Sequence, residues 1–141
     1  MIEIVNRQRG QRVNPRQWRE FGERVLAELK LTRHAANLVF ISDRAMRELN
    51  RRFRGRDYAT DVLSFPFAAE PFETGEQTQL GEVVISLDRA VEQSRTHGLS
   101  FVNEVEQLIL HGLLHLCGYD HETDDGEMNR LELRLRKKLG I

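Results

Sequence analysis

His111, His115 and His121 stand at H-x-x-x-H-x-x-x-x-x-H spacing in the segment His111-Gly112-Leu113-Leu114-His115-Leu116-Cys117-Gly118-Tyr119-Asp120-His121, and they are three of the chain's five histidines. An α-helix turns about 100° per residue with a rise of about 1.5 Å. His111 and His115 therefore fall one above the other on a single face, within reach of one cation. Glycine enters the left-handed conformation that ends helices without steric cost, so Gly118 is the expected stop. The chain can then turn back and bring His121 to the same ion. Three imidazoles leave one coordination position open, the arrangement of a catalytic rather than a structural zinc. One histidine would read as a polar core or surface residue. Three at this spacing around a glycine turn predict a metal site.

With Gly118 included, the spacing is H-x-x-x-H-x-x-G-x-x-H, the ligand spacing of the metzincin proteases. Zinc proteases place Glu directly after the first histidine, as general base for the metal-bound water. Here that position is Gly112, so the cage is retained and the peptidase base is absent. Peptide hydrolysis would need a carboxylate from elsewhere, such as Asp120 or Glu104. Asp120 has two open readings: it accepts the second N–H of a metal ligand, or it caps the helix that follows. Tyr119 reads as an aromatic anchoring the turn, with a phenolic donor at the site as the alternative. Cys117 lies about 200° around the helix from His115, so it points away from the ion as a small buried residue. Glu104 reads as a solvated helix residue, and His34 and His97 as surface or loop histidines.

The elements that must position these residues follow from hydrophobic periodicity. Residues 2–6 form a short strand. Asn14-Pro15 starts a helix over about 15–30, since asparagine caps free N–H groups and proline suits the first helical position; Trp18, Phe21, Val25, Leu26 and Leu29 form its stripe. Asn37 to Ser42 is a strand. Ser42 or Asp43 caps a helix in which Met46, Leu49, Asn50 and Phe53 share a face before Gly55 ends it. Residues 61–65 form a strand stopped by Pro66, and 68–79 a loop or hairpin connection. Gly81 to Leu87 is a buried strand. A helix runs from Asp88 to about Thr96 and ends at Gly98. Ser100 caps the long histidine helix, and Asp124 starts a last helix with Met128, Leu131, Leu135 and Leu139 as its stripe. Strands mixed with helices predict an α+β architecture. The expected sheet is small and mixed, with about four strands flanked by about five helices, and the metal site lies at the end of a long helix.

At 141 residues the chain is expected to be one domain, residues 1–141, large enough for a core without disulfides. It has neither the apolar runs of a membrane span nor the polar bias of disorder, which argues against a membrane partner. The N-terminus lacks the features of a signal peptide, and a lone cysteine suits a reducing compartment; the expected location is the cytoplasm. A net charge of −1 does not indicate a globally basic nucleic-acid binder. Arginine is nonetheless clustered, at Arg7, Arg9, Arg12, Arg16 and Arg19 and at Arg44, Arg47, Arg51, Arg52, Arg54 and Arg56. Its planar fork suits phosphate, yet charge alone does not separate a phosphate-binding surface from solvated helix faces.

The second constellation is Leu49-Asn50-Arg51-Arg52-Phe53-Arg54-Gly55-Arg56-Asp57, running into Thr60-Asp61-Val62-Leu63-Ser64-Phe65-Pro66. Taken alone it is an amphipathic helix ending at glycine and followed by a strand, in which Arg54 complements the helix dipole. Taken with the histidine segment and with Leu80-Gly81-Glu82-Val83-Val84-Ile85-Ser86, it resembles the bacterial YbeY family of endoribonucleases. The matches lie in order over most of the chain, with residues 1–40 and 123–141 matching in pattern only. Glu82 replaces the family's usual aspartate and Cys117 a common aliphatic, neither at a proposed ligand.

The resemblance implies a zinc ion, or nickel or another divalent metal, held by His111, His115 and His121. It implies a functionally required arginine at Arg54, and a small mixed sheet flanked by helices. The implied activity is single-strand-directed RNA cleavage in ribosomal RNA maturation, at the small-subunit rRNA 3′ end, and in ribosome quality control. RNA, the small ribosomal subunit and assembly proteins are the implied partners. On that basis the cation would polarise phosphate or activate water, Arg54 would stabilise transition-state charge, and Arg51, Arg52 and Arg56 would hold the backbone. No general base is identifiable, so water and the 2′-hydroxyl both stand as nucleophile. Two rivals remain: a zinc-dependent peptidase or other hydrolase, and a non-catalytic ribosome-assembly factor with a structural metal.

Overall fold

A computed structural model describes residues 1–67 and 78–141. Among these the chain order is β1 (Ile2–Asn6), α1 (Pro15–Glu28), β2 (His34–Ile41), α2 (Asp43–Arg54), β3 (Val62–Pro66), β4 (Thr78–Ser86), α3 (Leu87–His97), α4 (Phe101–Leu116) and α5 (Glu127–Leu139). The four strands form one sheet in the order β1-β2-β4-β3. β1 and β2, and β2 and β4, run parallel, while β3 pairs antiparallel with β4 at the edge. The α+β expectation with a mixed sheet holds. The connection expected over 68–79 lies outside the described residues up to position 77, and its last two residues belong to β4.

Side chains alternate across the sheet, as the pleat requires. Ala36, Leu38, Phe40, Val83 and Ile85 join the large core with Trp18, Phe21, Val25 and Leu26 of α1, most of the apolar side of α4, and Met128, Leu135 and Leu139 of α5. Val39, Ile41, Leu63 and Val84 face the other way and meet Met46 of α2 in a smaller cluster. Ile109, Leu110, Leu113 and Leu114 of α4 are fully buried, and each contributes about 1.5–3 kcal/mol by leaving water. That burial clamps the histidine helix onto the sheet. No described helix is long and apolar enough to cross a membrane.

Local signals explain most boundaries. Asn14, Ser42, Ser86 and Ser100 each accept a hydrogen bond from a first-turn N–H of the helix they precede. One expectation is corrected. The last helix begins at Glu127, not Asp124; the Asp124 carboxylate instead accepts from the N–H groups of Gly126 and Met128, at 2.8 and 2.9 Å, and so anchors the turn that leads into it. Phe53 continues the face of Met46, Leu49 and Asn50 and packs against Phe65 of β3, but at the end of the helix it is 63% exposed.

Candidate metal centre

Helix α4 carries His111 and His115 on its last turns, half-buried, with Nε2 atoms 3.1 Å apart. The helix stops at Leu116, and Gly118 adopts φ +94°, a left-handed conformation that a side chain would strain. Its N–H donates to the His115 carbonyl at 3.0 Å, closing the turn that returns His121. The His121 ring centroid lies 5.6 Å from those of both His111 and His115. One ligand nitrogen from each of the three rings lies within 4.8 Å of the other two. A tetrahedral zinc with Zn–N bonds of about 2.0–2.1 Å spaces its nitrogens about 3.3 Å apart, so the donor set fits such an ion. Histidine nitrogens also suit nickel.

Gly112, between the first two histidines, explains how the helix reaches this position. A Cβ there would collide with Val83 of β4 and sit 3.3 Å from the Ser64 hydroxyl. The same hydroxyl donates to the Gly112 carbonyl at 3.1 Å, tying edge strand β3 to α4. Glutamate at this position is therefore excluded by contact with the sheet. The close approach that seats the histidines removes room for the peptidase base.

The imidazoles open into a cleft of about 570 Å³ between the end of α4, the loop through Glu122, strand β3 and the end of α2. Arg54 lines it, with Phe53, Asp61, Ser64, Tyr119 and Asp120. None of the other arginines in the two sequence clusters lines this cleft. Arg51 pairs with Glu48 at 2.7 Å, Arg47 forms a two-pronged pair with Asp57, and Arg56 donates to the Tyr58 hydroxyl at 2.9 Å. Arg52 is exposed, and neither it nor Arg54 forms a salt bridge among the described residues.

A family model described as Endoribonuclease YbeY matches residues 3–140. The chain belongs to the YbeY family. A relative named Endoribonuclease YbeY from Nautilia profundicola is 47% identical over 111 residues, covering 79% of this chain and 76% of the relative. Another of that name, from Clostridioides difficile, is 45% identical over 112 residues, covering 77% and 73%. The solution structure of TM1509 from Thermotoga maritima superposes with a TM-score of 0.68 at 29% identity, over 99% of this chain and 89% of that one.

In this YbeY-family chain the histidines have a partner that sequence reasoning missed. Glu132 of α5, only 7% exposed, accepts the Nδ1–H of His111 at 3.2 Å. That tautomer leaves Nε2 free for a cation. Burial pushes the Glu132 carboxyl up, but His111 and Arg136 outweigh it and hold the group below the usual carboxylate range. The signal was legible, since Glu132 lies four residues after Met128 and three before Leu135, an acid inside an apolar stripe. Asp120, expected either at a ligand or as a helix cap, accepts instead from the Glu122 N–H at 3.0 Å and so shapes the turn that contains His121.

Tyr119 is half-buried and packs against the main core, in keeping with an anchoring role. Cys117 caps α4 and is not in the ligand group; burial raises its thiol above the ordinary value, which disfavours the thiolate that metals bind. The His115 imidazole is pushed down by burial and by His111, against an opposing backbone hydrogen bond at Tyr119. Neutral imidazole is the form a metal needs. Glu104 is corrected: it is 2% exposed rather than solvated, and its carboxylate meets His97 Nδ1 at 3.0 Å. His97 is exposed at the end of α3, and His34 opens β2.

Proposed function

We propose that the cleft binds a divalent cation, zinc in the first instance with nickel as an alternative, and cleaves single-stranded RNA. The observation that carries the reading is the convergence of Arg54 and three imidazoles on one cleft. His111, His115 and His121 hold the ion, and Glu132 orients His111. When bound, the cation supplies Lewis acidity toward a phosphate oxygen or a water molecule. Arg54 projects a guanidinium whose fork matches phosphate oxygens and stabilises charge that develops on them. Arg51, Arg52 and Arg56, outside the cleft lining, are the further candidates for backbone contacts, and such contacts make affinity fall with salt.

Relatives named as endoribonucleases support RNA as the substrate class. Ribosomal RNA, at the small-subunit 3′ end, is the substrate we assign. The small subunit or its assembly proteins are the partners, in the cytoplasm and in ribosome maturation and quality control. The peptidase reading is opposed by the contact between Gly112 and Val83. The test compares zinc-loaded protein with His115→Ala on structured RNA and on casein. RNA cleavage that disappears in the variant and on chelation is expected. Casein cleavage would support the peptidase, and ribosome binding without turnover the assembly factor. A cyclic phosphate at the product end would identify the 2′-hydroxyl as nucleophile, and a simple monoester would identify water.

A further inference from the structure

Phe53 is a large apolar side chain left exposed on the cleft wall. It lies on the last turn of α2, beyond the buried Met46 and Asn50, with 63% of its surface in solvent. Its ring meets that of Phe65 nearly at right angles, with centroids 5.4 Å apart and planes at 73°. Such a contact occupies either an edge or one face of the ring, so at least one face stays free. The ring lines the same cleft as the three imidazoles, and Arg54 follows it directly in sequence. Consecutive helix positions diverge by about 100°, so ring and guanidinium reach the cleft from different directions, as a base and its phosphate would.

We infer that Phe53 is a base-stacking site, which receives the nucleobase beside the phosphate held at Arg54 and the imidazoles. The inference rests on the ribonuclease reading above and adds a source for strand selectivity. Every nucleobase presents a π-face, so stacking on an aromatic side chain tolerates any sequence. A paired base is held within its own helix, whereas an unpaired base can be splayed onto a protein ring. Phe53 then favours unpaired RNA without reading its sequence.

The test uses zinc-loaded protein, a single-stranded RNA oligonucleotide carrying one 2-aminopurine, and a duplex of the same sequence, mixed and read before turnover. Phe53→Leu keeps an apolar cover on Phe65 but has no π-face, while Phe53→Trp keeps one. The expected result is quenching of 2-aminopurine by wild type and Phe53→Trp, lost in Phe53→Leu. Single-strand affinity should fall about 5- to 150-fold in the leucine variant, the loss of one base–aromatic stack. Its KM should rise in parallel with kcat little changed, and duplex binding should stay the same. A purely structural Phe53 would alter thermal stability and leave quenching and KM intact, which overturns the inference. Wild type that cleaves RNA with Phe53→Leu indistinguishable from it overturns the stacking site alone. Wild type that stacks the probe but cleaves no RNA overturns the ribonuclease reading alone, and no RNA binding at all overturns both.

Discussion

Glu132 of α5 accepts the Nδ1–H of His111 of α4 at 3.2 Å, and Arg136, one turn further along α5, donates to the same carboxylate oxygen at 3.4 Å. The contact joins two helices and fixes which nitrogen of His111 faces the cleft. A carboxylate behind a ligating imidazole sets its tautomer and raises its basicity. The metal centre is thereby tied to the packing of α5 on α4.

Replacing Glu132 should therefore weaken metal binding without touching a ligand. Glu132→Ala is expected to lower zinc affinity about 10- to 100-fold, measured by competition with a chromophoric chelator. Glu132→Gln keeps an acceptor oxygen and should lose less. Equal affinity in wild type and the alanine variant would mean that Glu132 does not position His111.

Gly112 offers a test in which two effects oppose each other. Alanine is favoured over glycine inside a helix by about 0.8–1.0 kcal/mol. The added Cβ, however, drives into Val83, and overpacking a core costs about 1–3 kcal/mol. Gly112→Ala should be net destabilising in urea denaturation, and the double variant with Val83→Ala should be less destabilised than the sum of the two single variants. A stabilised single variant would contradict the close approach of α4 to β4.

The pH dependence of the metal-free protein follows from His115. Burial, with His111 adding to it, holds this imidazole below its ordinary pKa. The unfolded chain then binds its proton at higher pH than the folded chain, so stability rises with pH across that window. The contribution is intact above the ordinary histidine value of about 6.5 and is lost as pH falls from there toward the folded value. In chelator-treated protein, the thermal midpoint of wild type should drop more steeply on acidification below about 6.5 than that of His115→Gln. Parallel profiles would show that His115 is not the group responsible.

Arg54 separates chemistry from folding. It is exposed and in no salt bridge among the described residues, so Arg54→Ala should leave the thermal midpoint and zinc affinity unchanged. Loss of a donor to transition-state charge costs about 10²–10³ in kcat, and that fall is expected in RNA cleavage assays. Arg54→Lys should recover little, since an ammonium cannot present the two-pronged donor. Full activity in the alanine variant would remove Arg54 from the reaction.

The metal cage was legible in the chain because it is local: His111 and His115 share a helix face by periodicity, and Gly118 turns the chain back within a few residues. The helix starts at Asn14, Ser42 and Ser100 were legible for the same reason, since a cap is a contact between near neighbours. The start of α5 was misplaced because the Asp124 carboxylate satisfies N–H groups that an N-cap would also satisfy, but from within a longer turn.

The remaining features depend on contacts between residues far apart in sequence. Spacing places no glutamate near His111 from 21 positions away; the packing of α5 on α4 does. The resemblance implies Arg54, but only the tertiary structure brings it to the cleft that the histidines line and leaves the other clustered arginines outside that lining. In the sequence Gly112 marks a missing base, and the fold gives the reason, a helix seated too close to Val83 for any side chain. Ligand identity followed from local periodicity, whereas ligand orientation and the shape of the cleft arose from side chains that meet only when the layers pack.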